Sequence, residues 1–315
     1  MRIVVARSAQ EMEQLRAPWE AMQGARGATL FQRFEWNLLA ARILGEAPHV
    51  VFAERGSGAA LIPAAVRGNC LTLLGGGLFD YRDVIATGDG AALRAAWSEL
   101  ASLKLPLRFR AVRGRPSHWD AAMLRAWSGA PGISRERTSA ERFARQHARL
   151  ARALRRLRAA GAELRRADGN AQALLRAIWE QKAAQFGGQR ESAFCDPRTI
   201  EFLLAAARVS PCDVFFLAAG TQLVAALVAF RDGCVRRFYT TWFDLAWARM
   251  SPGSALVFEA ARTSLAEGLD ADLMTGEQPF KVRLATHSVP LFEVNATAAQ
   301  VARPGGVDEA ATIAA

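Results

Sequence analysis

The tripeptide Ser251-Pro252-Gly253 is the feature of this sequence whose residue types and spacing best suit chemistry. Serine caps helices well, proline suits the first helical position, and glycine leaves open space above the backbone. Ala255, Leu256, Phe258, Glu259, Ala261 and Leu265 follow at helical spacing, and Gly268 closes the run. A helix opened in this way turns unpaired N–H groups and the positive end of its dipole outward. Such an end can hold a phosphate or pyrophosphate. The same tripeptide also serves as a plain cap, so the neighbouring elements decide between the two readings. Downstream, Gly276-Glu277-Gln278-Pro279-Phe280-Lys281 sets a carboxylate four positions before an ammonium.

Those neighbours read as strands. Val235–Phe243 is rich in aromatic and β-branched residues and is bounded by Asp232-Gly233, and residues 270–275 make a short buried strand. Residues 214–230 are the most apolar run, split into two strand-sized halves by Gly220-Thr221-Gln222, which predicts a hairpin rather than a membrane span. Residues 289–295 form the last strand. Earlier in the chain the pattern predicts a strand at 2–6, helices from Ser8 to Gly24 and Phe34 to Gly45, and strands at 49–54, 59–66 and 70–74. A helix over 90–103, a strand at 107–112 and a helix over 119–127 come next, before a Gly/Pro break at 129–132. Residues 139–166 read as one long Arg-rich helix with Phe143, His147, Leu150, Leu154 and Leu157 on its apolar stripe. A solvated basic face accounts for its arginines, and a nucleic-acid surface is the alternative. His147, lying on the stripe, reads as a packed core histidine. A helix around Leu174, Leu175, Ile178 and Trp179, a loop at Gly187-Gly188 and a helix over 197–208 lead to the hairpin.

Composition narrows the class. The 315 residues are 51% hydrophobic with a net charge of +10, which describes a globular chain suited to an anionic partner. The positive charge is nearly all Arg in an Ala-rich chain, a bias that base composition also produces. Cys70, Cys195, Cys212 and Cys234 are scattered and the four histidines lack ligand spacing, so neither a zinc site nor a disulfide framework is implied. The first residues turn acidic without a long apolar core, so no signal peptide is expected and a cytoplasmic protein is the default.

The elements also come twice. Three strands, a helix and a further strand begin near 50, 59, 69, 90 and 107, and again near 214, 222, 234, 253 and 272, displaced each time by about 163 to 165 residues. This predicts an α/β (α+β) chain of two similar units over 1–138 and 139–295, with a flexible tail over 296–315. Each unit has three antiparallel strands, a helix and a further strand that pairs parallel. At the helix mouth the first unit carries Ala86-Thr87-Gly88-Asp89-Gly90, an acid where an anion would approach. The second unit is therefore the expected ligand site, and the first a degenerate or substrate-binding partner.

This order of elements, with a phosphate-holding loop between fourth strand and helix, resembles the GNAT acyltransferase fold, and most closely the tandem-GNAT acetyltransferases associated with cellulose biosynthesis. The residues that carry the resemblance are Phe31, Phe34-Glu35-Trp36 and Asp80-Tyr81-Arg82-Asp83 in the first half. In the second they are the segment 149–157, Ala248 to Gly253, and Gly276 to Lys281. The resemblance implies acetyl-CoA or another acyl-CoA as donor, held by Arg249, Met250, Ser251, Pro252, Gly253 and Ser254. An amine or hydroxyl acceptor, on a polysaccharide, its precursor or a small amine, would attack the thioester directly. Glu277 is then the candidate base, and Lys281 pairs with it or holds an anionic substrate. Tyr239 donates to the leaving thiolate or packs in the core. Tyr81, Asp83 and Asp272 are candidate substrate contacts. Phe280 stands where an aromatic hydroxyl is often found, so no tyrosine acts from that position. The architecture is also similar to the peptidoglycan interpeptide-bridge aminoacyltransferases, which implies aminoacyl-tRNA as the alternative donor. A non-catalytic module that binds an anion or a partner is the third reading.

Overall fold

The computed structural model describes residues 1–25, 27–88, 90–113, 119, 123–185, 193–297 and 300. In order, the first half contains β1 (Arg2–Ala6), α1 (Ala9–Gln14), α2 (Arg16–Met22), α3 (Phe34–Ile43), β2 (Ala47–Arg55), β3 (Gly58–Arg67), β4 (Cys70–Leu73), β5 (Ile85–Thr87), α4 (Ala91–Ser102), β6 (Leu107–Val112) and β7 (Leu124–Ile133). The second contains α5 (Ala140–Gln146), α6 (Ala148–Ala159), β8 (Glu163–Asp168), α7 (Gln172–Gln185), α8 (Pro197–Val209), β9 (Cys212–Ala219), β10 (Gln222–Asp232), β11 (Val235–Phe243), α9 (Pro252–Ala266), β12 (Asp270–Asp272), α10 (Pro279–Leu284) and β13 (His287–Ala296).

These strands make one sheet in the order β1-β2-β3-β4-β6-β13-β7-β12-β11-β10-β9-β8, with β5 paired to β3. Hairpin neighbours are antiparallel, as their tight turns require, and the two pairings across a helix, β4–β6 and β11–β12, are parallel. The mixed, mostly antiparallel architecture predicted from the sequence is the one observed. Its centre differs from a simple juxtaposition. β13 inserts beside β6 of the first half, while β7, which precedes the second half, pairs with β12. Each half therefore completes the other's sheet.

Two sequence expectations fail here for local reasons. Residues 124–127 are strand rather than helix, and Gly129 and Gly132 lie inside β7 rather than in a break. A Cβ on Gly129 would come 2.8 Å from the Glu277 carboxylate, and one on Gly132 would come 2.7 Å from the His287 ring. These glycines are places of close approach within a central strand. Pro131 stands opposite Ser288 of β13 and just past the β12 pairing, where its carbonyl accepts from Leu273 N (3.0 Å). The long Arg-rich helix is also interrupted. His147 ends α5 and begins α6, its ring 4.6 Å from that of Phe143, and Gly161 (φ 88°) turns the chain into β8. The arginines of α5 and α6 are exposed and the apolar stripe packs on α9, as a solvated basic face demands.

The cores are not separate. One cluster joins Phe31, Trp36 and Phe79 of the first half to Trp179, Phe202 and Phe230 of the second. Trp36 alone contacts Phe31, Phe79, Phe202, Phe230 and Tyr239 at centroid distances of 5.1–6.1 Å. Asp232, at the end of β10, adds a polar seam by accepting from Leu30 N (2.9 Å), Arg33 Nη2 (2.8 Å) and Arg237 Nε (2.8 Å).

Candidate functional site

β11 and β12 run parallel for only three residue pairs, Val235 with Asp270, Arg236 with Ala271 and Arg237 with Asp272. β12 then stops and Met274 takes a left-handed conformation (φ 64°), while β11 continues to Phe243. The two strands part, and the uncovered edge of β11 faces the gap. Tyr239 sits there as the extra residue of a bulge, since Thr240 pairs with Val228 and Phe238 with Ala229.

α9 begins just past this edge. Its N-cap Ser251 is left-handed (φ 54°, ψ 50°) and makes no side-chain cap bond. This costs a non-glycine residue about 1–2 kcal/mol, which a plain cap does not require. Pro252 has no N–H, and the Gly253 and Ser254 amides bond to nothing among the described residues. Ser251 is exposed and Ser254 half-buried, while Pro252 and Gly253 are buried, so the start of the helix carries two unused donors just beneath the surface. Arg249 is exposed beside it, whereas Met250 packs against the second-half core. The glycine has a further reason. A Cβ on Gly253 would lie 3.0 Å from the Phe243 ring, so its smallness also serves the packing of β11 on α9.

A loop from the first half closes the other side of the gap. Tyr239 Oη donates to Leu78 O (2.7 Å), Thr275 Oγ1 donates to Asp80 O (3.0 Å), and Tyr81 Oη lies 2.7 and 2.8 Å from the two Asp272 carboxylate oxygens. Two lysines reach in from the second half. Lys182 Nζ on α7 donates to Thr241 O (2.9 Å), and Lys281 Nζ on α10 donates to Thr275 O (2.8 Å).

The electrostatics of this cluster are uneven. Burial pushes the Asp80 carboxyl up to about 6, although a Thr275 hydrogen bond and the Lys281 charge pull the other way. Burial pulls Lys281 below the usual ammonium range against the opposing pull of Asp80 and Asp272, and pulls Lys182 down with help from the Lys281 charge. Burial also raises both tyrosines, reinforced by Asp272 at Tyr81 and by Asp80 at Tyr239. Burial works against the charge on Arg237, but Asp272 (2.6 Å) and Asp232 hold it protonated.

The residues expected to act from the sequence thus fall into three groups. Tyr81, Asp272, Tyr239 and Lys281 meet at the gap. Tyr239 has given its hydroxyl to a backbone carbonyl inside an aromatic cluster, which is the packing alternative. Glu277 is exposed, its carboxylate packed over Gly129 near Ser288, and it is not paired with Lys281. Gln278 caps α10 and Pro279 opens it, so Glu277 precedes the helix and the four-residue spacing has no helical meaning. Asp83 is buried elsewhere, accepting from Val84 N and Trp119 Nε1 with Arg113 at 3.8 Å. Asp89 and the Gly187-Gly188 loop lie outside the described residues.

Sequence reasoning gave no site role to Asp80, Lys182, Thr275 or Arg237, although Asp80 lay in a stretch that carried the resemblance. The lysines carried a usable signal. The chain has 40 Lys and Arg, of which only Lys104, Lys182 and Lys281 are Lys, and two of these three meet at the gap.

Residues 144–282 match the family model described as an acetyltransferase (GNAT) domain. A search of the curated proteins finds no match to the sequence. Among solved structures, the C-terminal domain of a putative lysylphosphatidylglycerol synthetase from Agrobacterium fabrum is similar over 94% of this chain and 95% of its own, at TM-score 0.61 and 14% identity. FemX is similar over 93% and 97%, at TM-score 0.55 and 9% identity. A tandem GNAT protein from the clavulanic acid pathway is similar over 94% and 98%, at TM-score 0.52 and 14% identity. No helix among the described residues is long and apolar enough to cross a membrane. Residues 144–282 thus carry the match to the GNAT acetyltransferase domain, and the chain as a whole shares the fold of a tandem GNAT protein.

Proposed function

We propose that the chain transfers an acyl group, acetyl in the simplest case, from a CoA thioester to an amine or hydroxyl. The observation that carries this reading is the pair of unused amides at the start of α9, beside the parting of β11 and β12. The Gly253 and Ser254 amides, the dipole of α9 and exposed Arg249 would hold the pyrophosphate. Acyl-CoA supplies an activated carbonyl with a thiolate leaving group. Asp80, raised toward neutral pH, accepts the acceptor's proton as the new C–N or C–O bond forms. Lys281 holds the charge that then develops on Asp80 (Coulombic partners in the folded chain). Lys182, made a weaker base by burial, returns a proton to the sulfur as the C–S bond breaks. Glu277 has no part in this reading, and Tyr239 and Tyr81 position the loop that brings Asp80 to the gap.

The units 1–138 and 139–295 divide the work accordingly. In the first half the corresponding gap between β4 and β6 is filled by the chain itself, with Arg82 N donating to Ala111 O (3.1 Å). That half contributes a loop and an acceptor wall rather than a second donor site. The family resemblance implies a polysaccharide, its precursor or a small amine as acceptor. Single-turnover acetyl transfer with wild type and Asp80→Asn tests the assignment. A loss in rate with unchanged acetyl-CoA affinity supports it, and an unchanged rate overturns it.

A second donor, aminoacyl-tRNA, is favoured by one observation. Arg142, Arg145, Arg149, Arg152, Arg155, Arg156 and Arg158 are all exposed along α5 and α6. RNA affinity falling steeply with salt, and aminoacyl transfer without CoA, would favour that donor.

A further inference from the structure

Away from the β11–β12 gap, a cavity of about 670 Å³ opens between the two halves. Its volume falls in the range of small-molecule sites, roughly 300–1,000 Å³. One wall is first-half: Glu46, Arg67 and the glycine run 75–77. The other is second-half: Asp196, Arg198 and Thr199 at the start of α8. Each wall carries one acid and one base, Glu46 with Arg67 and Asp196 with Arg198, and Glu46 and Arg198 keep unused capacity. Glu46 Oε2 accepts the Gly75 N–H (2.7 Å), while Oε1 accepts no hydrogen bond among the described residues and stands 3.0 Å from where a Cβ on Gly76 would be. Asp196 takes Arg198 Nε and Nη2, leaving Nη1 only 2.9 Å from where a Cβ on Gly45 would be. Gly45, Gly75 and Gly76 are all left-handed, at φ 67°, 91° and 47°. The backbone thus takes conformations that favour glycine at the points where Glu46 and Arg198 need room. Arg82, half-buried, acts on Glu46 through its charge, and its buried Nε has no hydrogen-bond partner among the described residues.

The cavity shares its glycine wall with the reacting gap. Leu78 lines the cavity, its carbonyl takes the Tyr239 hydroxyl, and Asp80 lies two residues further along the same loop. We propose that this cavity receives the acceptor, and that the acceptor is a small zwitterion whose ammonium group is read by Glu46 and whose carboxylate is read by Arg198, as in an amino acid or the end of a short peptide. The identity of the ligand as acceptor rests on the acyl-transfer reading; the ligand chemistry does not. In the transfer a second amine of the ligand, free and distinct from the ammonium held by Glu46, would form the C–N bond and give its proton to Asp80, while the sulfur would leave with the C–S electron pair and take a proton from Lys182.

Calorimetric titration of the full chain with L-lysine, L-alanine and L-alanyl-L-alanine tests this, with butylamine and acetate as single-charge controls. Glu46→Gln and Arg198→Met are the variants, and acetyl-CoA is titrated in parallel. A glutamine still offers an oxygen to Gly75 N–H, so the first variant keeps the loop bond. The proposal expects at least one zwitterion to bind wild type, to weaken about tenfold or more in each variant, and to outcompete both controls. Acetyl-CoA affinity should be the same in all three proteins. No zwitterion binding, or binding indifferent to Glu46, overturns the proposal while leaving acyl transfer intact. Zwitterion binding that needs Glu46 in a protein that ignores acetyl-CoA supports the cavity's ligand chemistry and overturns the donor reading instead.

Discussion

Asp80 is held in a place where its charge is unwelcome. Its carboxyl is raised from 3.8 to about 6, so the folded chain binds a proton there over a pH range in which the unfolded chain does not. Stability from this group is therefore greatest at low pH, is lost as pH rises from about 4 to about 6, and stays lost above. Asp80→Asn should raise the melting temperature at pH 8, with the gain vanishing by about pH 4, as calorimetry can show. The same variant should slow transfer by roughly 10²–10⁴. In wild type, kcat/KM should climb through about pH 6 as the base ionises. A variant that is less stable at pH 8, or a rate flat across that range, would remove Asp80 from the mechanism. At this scale the sequence was half legible. Ser251-Pro252-Gly253 marked the start of α9, and Tyr81 and Asp272, far apart in sequence, were both chosen and do meet. Asp80 stayed hidden because its character comes from burial by residues nearly two hundred positions away. Lys182 and Lys281 were legible only as exceptions, compact titratable cations in a chain that otherwise uses Arg.

Among the elements, the loop between β4 and β5 carries the greatest demand. Gly75 has φ 91°, and a Cβ there would come 2.1 Å from the Phe79 ring, which itself packs in the cluster joining the halves. Gly75→Ala should cost about 2–4 kcal/mol, from the left-handed backbone and the clash together. Urea unfolding would measure it, and a cost under about 0.5 kcal/mol would mean that the loop is not fixed by this contact. Strand and helix periods made most elements readable, because an alternating or 3.6-residue apolar pattern survives in one dimension. β7 did not read as a strand. Gly129, Pro131 and Gly132 look like a break unless it is known that Glu277 and His287 need the space of the missing side chains. β8 was absorbed into the preceding helix because its arginines continue the basic composition, and Gly161 alone marked the boundary.

For the whole molecule, the doubled order of elements was visible as a constant spacing, but the exchange of central strands was not. β7 and β13 can each be placed in either half by pattern alone, and only tertiary pairing decides. A fragment of residues 139–315 would lose β7, and with it the antiparallel partner of both β12 and β13. It should fail to show a cooperative melt, whereas the full chain melts as one unit; a cooperative melt of the fragment would show the halves to be independent. The account as a whole turns on α9 holding an acyl-CoA. The most direct measurement is calorimetric titration of acetyl-CoA into wild type and Ser254→Asp. An acid in the first turn suits the helix dipole, so the variant should fold at least as well as wild type. It should nonetheless bind acetyl-CoA about tenfold or more weakly, because its carboxylate occupies the approach of the pyrophosphate. Equal binding by both proteins would move the donor away from the helix mouth, and no binding by wild type would contradict the acyl-CoA reading itself.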